Sequence, residues 1–330
     1  MLNMDGGRYL TRLADFVSHD TVSPLADTSC SGVDRLLAPH GFFRAARACW
    51  LRASGSPRAW VYAHIDTKPP IPRDEWRTDP FSLVEKSGRL FGLGISDAKF
   101  QLLNALDVFS DPDIGFVVDG EEEIGGSGAA EILAAADVDV LVIVDGATSS
   151  ARFFSGTAGQ IDGQLRLKTG SPRLHPSRAI RRELWQMMSD VFGRAAELKM
   201  HFNWTGLSAP ESVRSLSLEE AVIRFDLRYQ RIDAPVVGAF LEPYDVEIRQ
   251  HYQPLEGICH QHDYPLASFS CALGNTLSRL NRVVVAPGAF AQNGNHRPNE
   301  WIDFTQIIAH RIRLEKVRRS CFSPEVQHDA

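Results

Sequence analysis

Apolar positions along the chain fall into two alternating kinds of run. Short, nearly continuous runs at residues 60–63, 114–118 and 138–144 have strand character. Between and after them, residues 99–109 and 128–136 repeat their apolar positions at helical spacing. Strand–helix alternation of this kind predicts an α/β domain with a mixed, largely parallel sheet flanked by helices. Near the start, Tyr9, Leu10, Leu13, Phe16 and Val17 form one stripe, which predicts a helix ending before Ser23-Pro24.

The pattern changes after residue 160. A strand at 164–168, a helix at 178–191, apolar alternation around 200–204, a strand at 221–229, a helix at 234–241 and a strand at 245–251 follow in turn. That order predicts a β-α-β-β-α-β, ferredoxin-like α+β insertion over residues 160–252, which splits the first domain into 1–159 and 253–330. The last stretch predicts a helix near 267–280, a strand at 282–286 and a terminal helix from about Glu300.

Composition narrows the function classes. The 330 residues are 44% hydrophobic and 23% charged, enough for a large domain and a smaller one. A net charge of −6 offers no electrostatic attraction to nucleic acid or to an anionic membrane, so neither is expected as a partner. No apolar run reaches the roughly 18 residues of a membrane span. The first residues lack a basic start, an apolar core and a cleavage site, and the five cysteines include no CxxC pair. The expectation is a reduced, cytoplasmic protein whose sequon at Asn203 meets no glycosylation machinery.

Polar residues collect where the predicted strands end, which is where such a sheet carries its site. In Ala63-His64-Ile65-Asp66, His64 and Asp66 point the same way along a strand, and a metal-bound imidazole usually donates its other N–H to a carboxylate. Asp97 lies in the turn Gly92-Leu93-Gly94-Ile95-Ser96-Asp97, where a carboxylate commonly caps the following helix and is also suited to bridge two cations. Glu121, Glu122 and Glu123 stand in succession after a buried strand, a costly arrangement unless a cation neutralises it or the loop is solvated. Asp145 ends the third strand, and His296 lies in Asn295-His296-Arg297-Pro298-Asn299-Glu300. Cys259, His260 and His262 offer further ligands that this set does not need.

The blocks AHIDTKPP, Trp76…Asp79-Pro80-Phe81, GRLFGLGISDAK, EEEIGGSG and HRPNE occur in the order of the co-catalytic di-zinc family of aminoacylases, acetylornithine deacetylases, glutamate carboxypeptidases and dipeptidases, which the sequence resembles from Thr21 to Glu300. The resemblance implies a zinc-peptidase-like catalytic domain with the inserted domain as a lid. His64 and Asp145 would hold one Zn2+, Glu123 and His296 the other, and Asp97 would bridge them; Co2+ or Mn2+ suit the same ligands. Glu122 would be the general base and Asp66 would orient His64. Two such ions activate a shared water and polarise the scissile carbonyl, while the base moves its proton to the leaving nitrogen. The lid would contribute His175 to the oxyanion, often across a homodimer. Arg228, in Asp226-Leu227-Arg228, would grip the substrate's carboxylate unless Asp226 holds it in a structural ion pair. Ser215 falls where relatives carry a substrate-binding Asn, and Phe100 where they carry Gly, which crowds the helix start.

The expected function is hydrolysis of the amide bond of an N-acyl-amino acid, a small molecule with an amino-acid carboxylate. The alternatives are a carboxypeptidase or dipeptidase acting on small peptides, and a non-catalytic binder of amino-acid conjugates. The retention of Glu122 beside all five ligands argues against the binder, which has no use for a general base.

Overall fold

The computed structural model describes residues 5–147, 152–168, 176–208, 220–230, 234–258 and 264–322, so His175, Ser215 and the 259–262 run lie outside the described residues. The chain forms two compact units: Met1–Gly156 with Glu256–Ala267 and Asn275–Ala330, and Thr157–Leu255 with Ser268–Gly274.

The first unit opens with α1 (Gly6–Ser18) and α2 (Asp27–Leu37), then β1 (Phe43–Ala46), β2 (Cys49–Arg52), β3 (Ala59–His64), β4 (Val84–Lys86), β5 (Arg89–Phe91), α3 (Lys99–Val108), β6 (Gly115–Asp119), α4 (Gly128–Ala134) and β7 (Val140–Val144). Helix α1 starts at Asp5 because the Asp5 carboxylate accepts from the backbone N–H groups of Gly7 and Arg8, at 3.1 and 3.2 Å. Its stripe of Tyr9, Leu13, Phe16 and Val17 is buried, as its spacing predicts.

The second unit contains β8 (Gly156–Lys168), α5 (Pro176–Glu197), β9 (His201–Ser208), β10 (Glu220–Tyr229), α6 (Ala234–Leu241) and β11 (Asp245–Tyr252). Strand β10 runs antiparallel between β8 and β9, and β11 pairs with the other edge of β8, giving the ferredoxin-like order β11-β8-β10-β9. Phe202 stacks on Phe225 at 5.0 Å in its core, with Ile223, Leu227, Val191, Val237 and Phe240 around them. Strand β8 begins well before residue 164 because Gly159 and Gly163 lie under aromatic rings of β10. A Cβ at either would strike Tyr229 at 2.4 Å or Phe225 at 2.8 Å.

The chain then forms β12 (Leu255–Gly257), β13 (Ala267–Ser270), β14 (Arg279–Leu280), β15 (Arg282–Val285), β16 (Trp301–Asp303) and α7 (Phe304–Phe322). The helix expected near 267–280 is absent. Strand β13 pairs with β8, and a short 3-10 turn carries Gly274, whose Cβ would lie 1.9 Å from the Gln253 carbonyl. That close backbone approach pins the segment in a bent form. Glu300 likewise precedes the terminal helix, because Trp301–Asp303 pair first with β5.

The central sheet of the first unit has the order β1-β2-β6-β3-β7-β15. Its β6, β3, β7 and β15 are parallel, while β2 and β1 extend it antiparallel. Strands β3 and β6 are buried along almost their whole length, as strands covered on both faces must be. Helix α3 packs against α7, and Phe100 is accommodated at the crowded helix start by meeting the His310 ring edge-on at 5.1 Å. Among the described residues no helix is long and apolar enough to cross a membrane.

Candidate metal centre

The carboxyl ends of β3, β6 and β7 lie side by side, with His64 paired to Asp119 and Ala63 to Val144. His64 therefore ends the central strand, Asp145 follows its neighbour on one side, and the acidic run follows its neighbour on the other. A single 3-10 turn, Glu122–Ile124, closed by Gly125 at φ 71°, directs the acidic run back toward the strand ends.

Asp97 lies between two imidazoles. Its Oδ1 is 3.4 Å from His64 Nε2 and its Oδ2 is 3.3 Å from His296 Nε2. Asp145 Oδ1 lies 3.2 Å from the same His64 nitrogen, and Glu123 Oε1 lies 2.9 Å from the His296 nitrogen. The residues thus form two triads with converging ligand atoms, His64–Asp97–Asp145 and Asp97–Glu123–His296, with Asp97 common to both. Glu122 joins His64 and Glu123 in a third grouping.

Two atoms test whether this set fits cations. His64 Nε2 and Asp97 Oδ1 are buried and have no hydrogen-bond partner. Buried polar atoms are rarely left so, and two that face one another among anionic groups have the chemistry of a metal site. With only protons to share, burial would discharge His64, but Asp145, Asp66 and Asp97 overcome it and raise its pKa well above the usual value. Asp97 and Glu123 push His296 up to about 10. Burial works against the charge on Asp97, yet His296 and His64 hold its carboxyl well below the usual range. Glu122 moves the other way: burial, with Asp145, Glu123 and Asp66 nearby, raises it well above the usual value despite His64.

Asp66 is fully buried and does more than face His64 Nδ1, 3.4 Å away. It also accepts from the backbone N–H groups of Glu122 and Glu123 at 3.3 and 3.0 Å, and from the Ser23 hydroxyl. One carboxylate therefore fixes both the imidazole and the acidic turn. Arg228 lies in the second unit, where its Nε donates to Asp226 Oδ1 at 3.1 Å and its guanidinium to the Ser268 carbonyl at 3.0 Å.

Sequence reasoning assigned no role to four residues that the site uses. Lys68 extends its ammonium to the Glu123 carboxylate at 3.1 Å and to the Glu123 carbonyl. Asn295 donates to Asp97 Oδ2 at 3.2 Å. Ser23 supports Asp66, and Glu300 gathers the backbone around Asp97. Lys68, Asn295 and Glu300 lie inside or beside blocks already singled out, so position beside a ligand was their only signal. A cleft beside the centre is lined by Lys68, Pro69, Ile71, Trp76 and Leu93 together with Asp97, Glu123, His296 and Arg297.

The profile of Peptidase family M20/M25/M40 matches residues 60–315. Beta-Ala-His dipeptidase from Mus musculus is 32% identical over 111 residues, 29% of this chain and 23% of that protein. Succinyl-diaminopimelate desuccinylase from Nitrosococcus oceani is 36% identical over 115 residues, 29% of this chain and 30% of that protein. The matched stretch thus spans less than a third of the length of these relatives. Among solved structures, the M20 family metallo-carboxypeptidase Sso-CP2 from Sulfolobus solfataricus superposes with a TM-score of 0.67 at 16% identity, covering 95% of this chain and 98% of that one. That likeness is one of fold.

Proposed function

The chain belongs to peptidase family M20/M25/M40, and from that premise we propose that it is a di-metal amidohydrolase that releases an amino acid from its N-acyl form. The observation that carries the proposal is the Asp97 carboxylate shared between His64 and His296, with the unpartnered His64 Nε2 and Asp97 Oδ1 facing one another. His64 and Asp145 would hold one divalent ion, Glu123 and His296 the second, with Asp97 common to both. Imidazole and carboxylate ligands suit zinc, and also cobalt or manganese. When bound, such a pair lowers the pKa of a water and polarises a carbonyl.

The chain's own residues supply the rest. Glu122 is a carboxylate with raised proton affinity beside the ligands, suited to take the proton of the attacking water and deliver it to the departing nitrogen. Asp66 keeps His64 in one tautomer and orientation and anchors the Glu122–Glu123 backbone, so the base and a ligand are held by one group. Lys68 offsets part of the negative charge on Glu123. Arg228, whose Nε also donates to Asp226, is proposed to grip the substrate's carboxylate, and Arg297 is a further cation that lines the cleft. His175 and Ser215 are proposed to contribute from the inserted domain, His175 to the oxyanion and Ser215 to the substrate.

Cleavage of small peptides is the second reading, favoured by the likeness to a Beta-Ala-His dipeptidase, whereas the likeness to a desuccinylase favours N-acyl substrates. A screen of N-acetyl and N-succinyl amino acids against dipeptides, at equal concentration, separates them. N-acyl substrates are expected to show the higher kcat/KM. Faster turnover of dipeptides would replace the first reading with the second.

A further inference from the structure

We infer that Glu300 is a positioning residue whose carboxylate holds the Asp97 turn and the His296 loop in one fixed relation. The inference rests on the reading of Asp97 and His296 as ligands of neighbouring ions. Glu300 is 2% exposed, and its carboxylate accepts four hydrogen bonds. Its Oε1 takes the Ser96 N–H at 2.6 Å, the Ser96 hydroxyl at 2.9 Å and the Asp97 N–H at 3.1 Å, while its Oε2 takes the Gly94 N–H at 3.1 Å. Every donor belongs to the turn that presents Asp97, whereas Glu300 itself follows His296 by four residues. One side chain therefore joins the loop that carries Asp97 to the loop that carries His296, whose Nε2 lies 3.3 Å from Asp97 Oδ2.

The backbone explains how it reaches them. Strands β5 and β16 pair antiparallel with Trp301 opposite Phe91, which sets Glu300 beside the start of the turn, where its carbonyl also accepts from Gly92 N–H at 3.4 Å. The turn cannot be left to itself. Gly94 has φ 74°, and Ala98 has φ 95° and ψ −72°, a conformation an alanine adopts only when its surroundings impose it. His296 and Asn299 also have positive φ, at 60° and 62°. Both loops are thus held in unfavourable backbone states, and Glu300 is the buried group common to them. Asn295 completes the link: its Oδ1, 2.7 Å from the Ser96 oxygen, shares that hydroxyl's one proton with Glu300, and its amide donates to Asp97 Oδ2 at 3.2 Å. A carboxylate is required here because it presents only acceptors. An amide of the same shape would turn an NH2 group toward at least one of these donors.

The test compares the wild-type protein with Glu300→Gln, both stripped with chelator, by residue-resolved hydrogen exchange and by zinc titration. The amides of Gly94, Ser96 and Asp97 should exchange at least about tenfold faster in the variant, while those of Val117 and Val142 in the central sheet keep their wild-type rates. Zinc affinity should fall roughly 10–100-fold, the usual effect of losing a partner that orients ligands. At saturating zinc, KM should be unchanged and most of kcat restored. Unchanged exchange in the turn overturns the inference, and so does a loosened turn with unchanged zinc affinity. If the wild-type protein takes up no zinc, the metal reading fails by itself, and exchange in the turn alone then decides the role of Glu300. Should Glu300→Gln not fold, Ser96→Ala removes the hydroxyl that Glu300 and Asn295 share, leaving the three backbone bonds to Glu300 in place. It should speed exchange at Gly94 and Asp97 and weaken zinc binding in the same direction, and no change in either would overturn the inference.

Discussion

Glu122 and Glu123 are adjacent and chemically identical, yet they sit in different surroundings. Glu123 is paired on one side with His296 at 2.9 Å and on the other with Lys68 at 3.1 Å. Glu122 makes no ion pair among the described residues, and burial beside other carboxylates raises its proton affinity. The division of labour proposed for them follows from that contrast. Glu122→Gln should keep metal and substrate binding but lose the base, lowering kcat by roughly 10²–10⁴. Glu123→Gln should weaken one metal site, with activity partly recovered by added zinc. Metal content and steady-state kinetics of the two variants check this, and an exchange of the two behaviours would shift the register of the acidic run by one residue. The ligand candidates were legible in the sequence because each lies at the end of a strand or in a Gly-bounded turn. Lys68, Asn295 and Glu300 were not, because their roles depend on which backbone groups a side chain reaches after folding.

Among the elements, those with a strong period were legible and those governed by close approach were not. Helices α1, α3 and α6 and strands β3, β6, β7 and β10 form within a few residues of where their apolar patterns put them. The segment 267–280 carries an apolar composition that a helix could use, but Gly274 against the Gln253 carbonyl and the pairing of β13 with β8 decide otherwise. The packing of α3 on α7 carries its own prediction. His310 is fully buried against Phe100, accepts at Nδ1 from the Asn104 amide at 3.1 Å, and is pushed down to about 3 by burial and by Arg313 nearby. Because the folded value lies below the ordinary 6.5, stability is complete above that pH. As pH falls from there toward 3, only the unfolded chain takes up the proton, and stability declines. Between pH 7 and 5 this group alone should remove about 2 kcal/mol. Urea denaturation of the wild type and of His310→Gln should show a flatter pH dependence in the variant. Equal slopes would mean that His310 titrates freely in the folded state.

At the scale of the whole molecule, the chain combines a mixed α/β unit that carries the candidate ligands with an α+β unit of ferredoxin-like strand order. Assembly through that second unit is the reading that gives His175 a neighbouring site to serve, and it predicts a homodimer. Light scattering at working concentration checks it, and a fully active monomer would remove both the dimer and the shared histidine. On the function proposed, the Asp97 carboxylate would be common to two divalent ions. Zinc quantified by elemental analysis of the purified protein, before and after chelation, tests it together with amide hydrolysis on the same samples. Up to two ions per chain are expected, with loss of activity on their removal and recovery on adding back zinc or cobalt. Full activity in chelator with no metal in the protein would contradict the proposal.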